Sequence, residues 1–224
     1  KKGWVNFGTG DKFPIEFIKS IGRSPVATSV IETLQSFIKG GSLDPNIANM
    51  VVNSSGQTFE EFHESACYDI ALNLGCYINT QYNLNGNITG IRNISFEHTR
   101  SGIPDDMGYI NNYKYIPDLY NTQVKASDKQ VIEFDVFNPD AVMSQISQEG
   151  LYNGQVKAIR FMRPNSTGQR VYPIPVINSA ISYIEIDYRM GNFHVNAIRN
   201  NFHKSHIFTV KGVAPDEKDP SGEY

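Results

Sequence analysis

Cysteine is scarce in this sequence: Cys67 and Cys76 are the two among 224 residues. Two thiols cannot build a disulfide scaffold, so a hydrophobic core must hold the chain together, and a reducing compartment suits it. Long apolar runs are also missing. No stretch reaches the ~18 apolar residues that mark a membrane span. An excess of basic charge is absent too, since 20 Lys and Arg stand against 23 Asp and Glu, a formal net charge of -3. That balance argues against coating DNA by overall phosphate neutralisation. Contact with nucleic acid would need a local basic patch, or a surface that lets DNA slide past ungripped. The opening Lys1-Lys2-Gly3-Trp4 has neither an initiator methionine nor an apolar signal core. With the polar ending from Asp216 to Tyr224, it reads as an interior part of a longer chain.

Familiar catalytic signatures are missing as well. Gly8-Thr9-Gly10 lacks the third glycine and the Lys-Ser/Thr pair of a phosphate-binding loop. No Gly-x-Ser-x-Gly elbow occurs, so an ordinary serine hydrolase has no support.

What is present describes a folded α+β chain. Hydrophobic residues make up 40% and charged residues 19%, enough apolar matter for a core and too little charge for a disordered tail. A short helical turn is predicted over Pro14 to Lys19. A longer helix begins at Ser24-Pro25, where the serine caps free amides and the proline suits the first helical position. Val26, Val30, Leu34, Phe37 and Ile38 form one apolar face, and Gly40-Gly41 ends it. Leu43 to Gln57 reads as a polar loop. Thr58 and Glu61 then make a capping box for a helix carrying Phe59, Phe62, Ala66, Ile70 and Leu74, stopped by Gly75.

Strands follow over Cys76 to Asn83 and Ile88 to His98, joined at Asn85-Gly86. More are predicted at Tyr113 to Ile116, Val131 to Phe137, Gln155 to Met162 and Ile207 to Val210. One or two helical turns fit Pro139 to Gln148, and a loop fits Asn165 to Gly168. After the rigid entry Tyr172-Pro173-Ile174-Pro175, a long helix is expected from Asn178 to Asn201. Ile177, Ile181, Ile184, Tyr188, Gly191, Val195, Ile198 and Phe202 recur on it at alternating steps of four and three. The class is therefore α+β: N-terminal helices, an antiparallel strand meander, and one long helix near the C-terminal end. The expected division is 1–175 as an α+β domain and 176–224 as the long helix with a short strand.

Three groups could carry chemistry. His63-Glu64-x-x-Cys67 superficially resembles a helical zinc motif with a catalytic Glu, although Cys replaces the second His, and a buried structural Cys is the competing reading. It leaves a metal-dependent hydrolase as one alternative function. Lys157, Arg160, Arg163 and Arg170 form the densest basic run, able to touch phosphate or to charge a solvated sheet edge. The stripe residues Ile181, Ile184, Tyr188, Val195, Ile198 and Phe202 can pack within one chain or against a second copy. His194, His203 and His206 read as surface or interface histidines. No cofactor is called for and no catalytic residue stands out. A bacterial surface binding or adhesion domain, using Trp4 and the many tyrosines as a ligand platform, is another alternative.

Several segments together resemble portal proteins of tailed bacteriophages, particularly those of Bacteroides-type phages and prophages. Trp4-Val5-Asn6-Phe7-Gly8 followed by Asp11-Lys12-Phe13-Pro14 resembles the family's opening, and Ser24-Pro25 to Gly40-Gly41 its next helix. Gly86-x-Ile88 to Ile91-x-x-Ile94-x-Phe96, running on to Arg100, is similar to its strand pair. Tyr172-Pro173-x-Pro175, Ser179-Ala180-Ile181, Ile184-Glu185-x-Asp187, Asn192-Phe193-His194, Asn200-x-Phe202 and Gly212-Val213-Ala214-Pro215 continue the likeness, with Asn201 where glycine is usual. The resemblance implies the outer wing of a subunit in a ring, usually of twelve copies, at one capsid vertex. DNA would be packaged and ejected through that ring. Implied partners are further copies of the chain, the terminase large subunit, head-completion and tail connector proteins, capsid and scaffold proteins, and double-stranded DNA; no membrane is implied. Assembly would occur in the host cytoplasm. A closed ring needs two different, complementary faces on each copy.

Overall fold

The structure is a computed structural model, described over residues 3–83, 85–124, 129–144 and 171–200, with the backbone alone over 158–162. The strand expected at Ile207 to Val210 and the loop at Asn165 to Gly168 lie outside the described residues, as do Gln155, Gln148 and Asn201 at the ends of other expected elements. The chain forms two compact units, Lys1–Asp187 and Tyr188–Tyr224.

Helices and strands segregate along the first unit as the α+β reading expects. Helix α1 covers Phe13–Ile21, α2 Pro25–Lys39, α3 Pro45–Ala48 and α4 Phe59–Asn73. Strands β1 (Cys76–Tyr82), β2 (Ile88–Ile94), β3 (Thr99–Ser101), β4 (Asn112–Tyr115), β5 (Ile132–Val136) and β6 (Ala158–Met162) follow, and helix α5 spans Ile181–Arg199. Local capping sets the helix starts. Ser24 Oγ accepts from Ala27 N at 3.1 Å. Thr58 Oγ1 accepts from Glu61 N while the Glu61 carboxylate accepts from Thr58 N, closing the capping box of α4. Thr58→Ala is expected to cost about 1 kcal/mol, measured by the denaturant midpoint. Helix α4 stops differently from the glycine stop expected. Leu74 takes the left-handed conformation at φ 55° and Gly75 follows it. The segment read as a polar loop also carries order, since Asp44 caps α3 and Val51 bridges to Thr58.

The strands form one sheet in the order β2-β1-β6-β5-β4-β3. Four pairings are antiparallel, and β5 with β6 is a short parallel pairing. Strand β6 thus leaves the simple meander and inserts between β1 and β5. This corrects one alternative for the basic run: Arg160 lies on an interior strand, opposite Ile78, rather than at a sheet edge. Strand β1 has neighbours on both sides, and Cys76, Tyr77, Asn79, Thr80 and Tyr82 are all buried. Covered on both faces, it shows no clean in-out alternation. The β1–β2 turn is organised by Asn83, whose Oδ1 accepts from Asn85 N and Asn87 N, while Gly86 supplies the positive φ of 80°.

Two cores meet at Phe13. Phe17, Ile21, Ala27, Ile31, Ala71, Leu72 and Ile184 join the helices, with Ile177 and Ile181 packed beside them. Phe7, Tyr77, Phe96, Tyr113 and Phe134 line the sheet. Stacked rings run between these cores: Phe17 on Phe13 (5.6 Å between centroids), Phe13 on Phe7 (4.7 Å) and Phe7 on Tyr172 (4.4 Å).

The apolar face of α2 does not enter the core. Val26, Val30, Leu34, Phe37 and Ile38 are exposed, and Ala27 and Ile31 are the buried residues. Helix α2 packs chiefly on α4. Ala27 is small enough for the backbones to approach, and Ile31 fills the space beside Leu72 and Ile184. The more hydrophobic face is left in solvent, an arrangement that calls for a reason.

Candidate functional site

Three parts of the described structure deserve a functional reading: a buried ionic node, an acidic cleft, and two exposed apolar helix faces.

The node ties the first residues to the sheet. Arg100 is 0% exposed and its Nε donates to Asp11 Oδ1 at 2.5 Å. Its remaining donors reach Glu97 O (3.0 Å), Thr99 O (2.8 Å), Asp11 O (3.2 Å) and the Tyr120 hydroxyl (2.6 Å). Asp11 also accepts from Trp4 Nε1 and Phe7 N. Its φ of 66° is left-handed, a region aspartate tolerates better than most residues. Tyr172 closes the same region from the other end of the unit. Its hydroxyl accepts from Ser101 N at 2.9 Å and donates to Val5 O at 2.6 Å. Burial pushes that phenol up to about 12, so it stays protonated and able to donate. The entry Tyr172-Pro173-Ile174-Pro175 is thereby anchored before α5. A further tie holds α5 to α2, where Ser24 Oγ donates to Asp187 Oδ2 at 2.6 Å. The residues quoted for the portal resemblance at Trp4, Phe7, Asp11, Arg100, Tyr172 and Asp187 thus meet in bonds or ring stacks. Asp11 was missed as a site residue; an acidic residue with a glycine-flanked approach and a distant arginine gives no local periodic signal.

The cleft is about 330 Å³ and is lined by Tyr68, Asp69, Asn93, Ser95 and Glu97 among others. Burial, and after it the neighbouring Glu97 charge, pushes Asp69 up to about 7. A carboxyl whose folded value is raised binds its proton more tightly when folded, so stability is full below the unfolded value and falls as pH rises from about 4 to about 7. Asp69→Asn is expected to flatten that slope and to raise the melting temperature at pH 8, measured by thermal scans across pH.

The metal-like motif is drawn apart. His63 Nε2 lies 3.5 Å from Cys67 Sγ, but Glu64 turns to Lys39 at the surface, and Lys39 also pairs with Glu60 at 3.4 Å. Phe59 stacks on His63, and burial raises the Cys67 thiol, which disfavours a thiolate ligand. Among the basic candidates, Lys157, Arg163 and Arg170 lie outside the described residues, and only the backbone of Arg160 is described. Among the described residues no helix is long and apolar enough to cross a membrane.

The apolar faces are on α2 and α5. Val26 (63% exposed), Val30, Leu34 and Phe37 (78%) line the first, with Ser29 and Thr33 between them. On α5, the expected stripe divides. Ile181 and Ile184 pack into the helical core of the chain itself, Tyr188 is half-buried, and Val195 and Ile198 are exposed; Phe202 lies outside the described residues. A second stripe on α5 had not been singled out: Tyr183 (75% exposed), Ile186 (51%), Met190, Phe193 and Ala197, at steps of three and four. At about 100° per residue it lies about 170° round the helix from Ile181, Ile184 and Tyr188.

No protein-family model matches the sequence, and no curated protein matches it either. Solved structures do match. A chain from the neck of an empty GTA particle, computed with C6 symmetry, aligns over 92% of this chain and 53% of its own at a TM-score of 0.61 and 12% identity. A chain of the virion of a native gene transfer agent (GTA) particle aligns over 92% and 52% at 0.62 and 13% identity. A chain from the neck of a native GTA particle, computed with C12 symmetry, aligns over 88% and 48% at 0.61 and 11% identity. This chain spans about half the length of those it matches. At such identities the likeness is one of fold: an α+β fold shared with chains of gene transfer agent particles.

Proposed function

We propose that the chain is part of a portal subunit, one copy of a ring at the capsid vertex through which DNA is packaged and ejected. The observation that carries this reading is the fold likeness to chains of GTA virions and necks over nearly the whole described chain. The portal resemblance of the sequence narrows the neck component to the ring itself. Trp4, Asp11, Arg100 and Tyr172, which bear that resemblance, are the residues that lock the first unit together. In this reading the chain is a wing-like wall with no catalytic role and no cofactor. Its partners are further copies of itself, the terminase large subunit, head-completion and tail connector proteins, and capsid and scaffold proteins, with duplex DNA passing by. It assembles in the host cytoplasm and ends in the virion. The net charge of -3 fits a channel wall, since each neutralised phosphate would add a salt-dependent hold on moving DNA.

Light scattering on the full-length chain, with images of the same sample, tests the reading. The expected result is a ring-sized assembly with a central hole. A stable monomer across a wide concentration range would overturn it.

A further inference from the structure

We infer that the acidic cleft between α1, α4 and the segment 93–97 binds a linear aliphatic polyamine, a chain of ammonium groups joined by methylenes. The inference does not depend on the ring reading.

The walls supply both halves of that chemistry. Asp69 and Asn73 lie one turn apart on α4, and Asn93 and Glu97 line the same cleft from the end of β2 onward. Ile18, Leu72 and Phe96 give it apolar surface. An ammonium group needs acceptors, while its methylene stem lies well on apolar walls. Among the described residues no Lys or Arg lines the cleft. Glu97 has His98 beside it, with Nε2 at 3.5 Å, and Asp69 has no ion-pair partner among the described residues.

Two buried amides point to a missing donor. Asn73 is 3% exposed and lines the cleft, yet its side chain has no hydrogen-bond partner among the described residues. Asn93 Oδ1 is buried without a partner as well. Buried polar groups are as a rule hydrogen-bonded, and an ammonium group brings donors and no acceptor. The Asp69 carboxyl, pushed up to about 7 by burial and then by the Glu97 charge, is in the state expected of an acid without its cation.

Shape favours separated charges over a single one. A smaller hollow of about 160 Å³ adjoins the cleft and shares Ile18, Tyr68 and Leu72 with it. It runs on between α1 and α2, where Glu32 lines it. Acids therefore stand towards both ends of a groove whose middle is apolar. Tyr68 stands in that middle, and the face of its ring attracts cations. A metal ion would need several oxygens around one point, and among the described residues no three of His, Cys, Asp and Glu are grouped to hold one.

Calorimetry on the full-length chain tests the site with spermidine, butylamine and calcium chloride in turn, at one salt concentration. Spermidine is expected to saturate one site per chain, about tenfold tighter than butylamine, and calcium to give no saturable heat. Asp69→Asn and Glu97→Gln are each expected to weaken spermidine about tenfold, the loss of one charge-assisted bond. Glu32→Gln is expected to weaken spermidine and leave butylamine unchanged. These replacements keep side-chain shape, and thermal melts of each variant separate lost binding from lost fold. At pH 6 spermidine is also expected to release a proton as Asp69 ionises, read from the dependence of the heat on the buffer, and Asp69→Asn abolishes that release. Absence of saturable spermidine binding, spermidine bound equally well by folded Asp69→Asn, butylamine bound as tightly as spermidine, or calcium bound in its place would each overturn the inference.

Discussion

Replacing Arg100 with methionine is expected to lower stability by about 3–5 kcal/mol, a large share of what a domain of this size has. The guanidinium is fully buried and spends its donors on Asp11, Glu97, Thr99 and Tyr120. Removing it leaves the Asp11 carboxylate in the interior without its cation, and takes a donor from each of the Glu97, Thr99 and Asp11 carbonyls. The cost comes from that uncompensated charge more than from the attraction lost. Replacing both partners, Asp11→Asn with Arg100→Met, is therefore expected to cost less than the two single changes added together. Asparagine keeps an acceptor for Phe7 N, places its amide nitrogen where the other oxygen accepts from Trp4 Nε1, and tolerates the left-handed backbone at Asp11. Denaturant midpoints of the four proteins measure the coupling directly. Additive losses would show that Asp11 and Arg100 act independently, against the geometry.

Ile31→Ala is expected to cost about 2–5 kcal/mol, and Val30→Ala, one residue away, less than about 0.5 kcal/mol. Ile31 is 1% exposed and packs with Leu72 and Ile184, so its truncation opens a cavity where α2, α4 and α5 meet. Val30 stands in solvent, and alanine is the better helix former there. Urea unfolding of the monomeric state compares the two. Comparable losses would mean that the apolar face of α2 is buried within the chain itself.

The contrast between Ile31 and Val30 shows where sequence patterning stopped being informative. Capping is chemistry between residues three apart, so Ser24, Thr58 and Glu61 were legible, and the helices they start lie where the spacing places them. The apolar face of α2 was legible, but its exposure was not, because periodicity finds an apolar stripe without revealing what covers it. The smaller Ala27 gave no strong hydrophobic signal, yet it is what allows α2 onto α4. The alternation of β1 was blurred for a related reason: Cys76, Thr80 and Tyr82 on one face and Tyr77 and Asn79 on the other are all buried. The insertion of β6 beside β5 depends on a pairing with no local sequence mark. Asp11 and Arg100 are 89 positions apart, and their union follows from the fold rather than from any motif. The portal resemblance, by contrast, was carried by scattered residues that the fold brings together around Asp11, Arg100 and Tyr172.

The most direct measurement is the DNA content of particles made when the gene for this chain is disrupted and then restored from a plasmid. Portal identity requires that disruption yield capsid shells without DNA, with packaging restored by the wild-type gene. DNA-filled, tailed particles in its absence would contradict it.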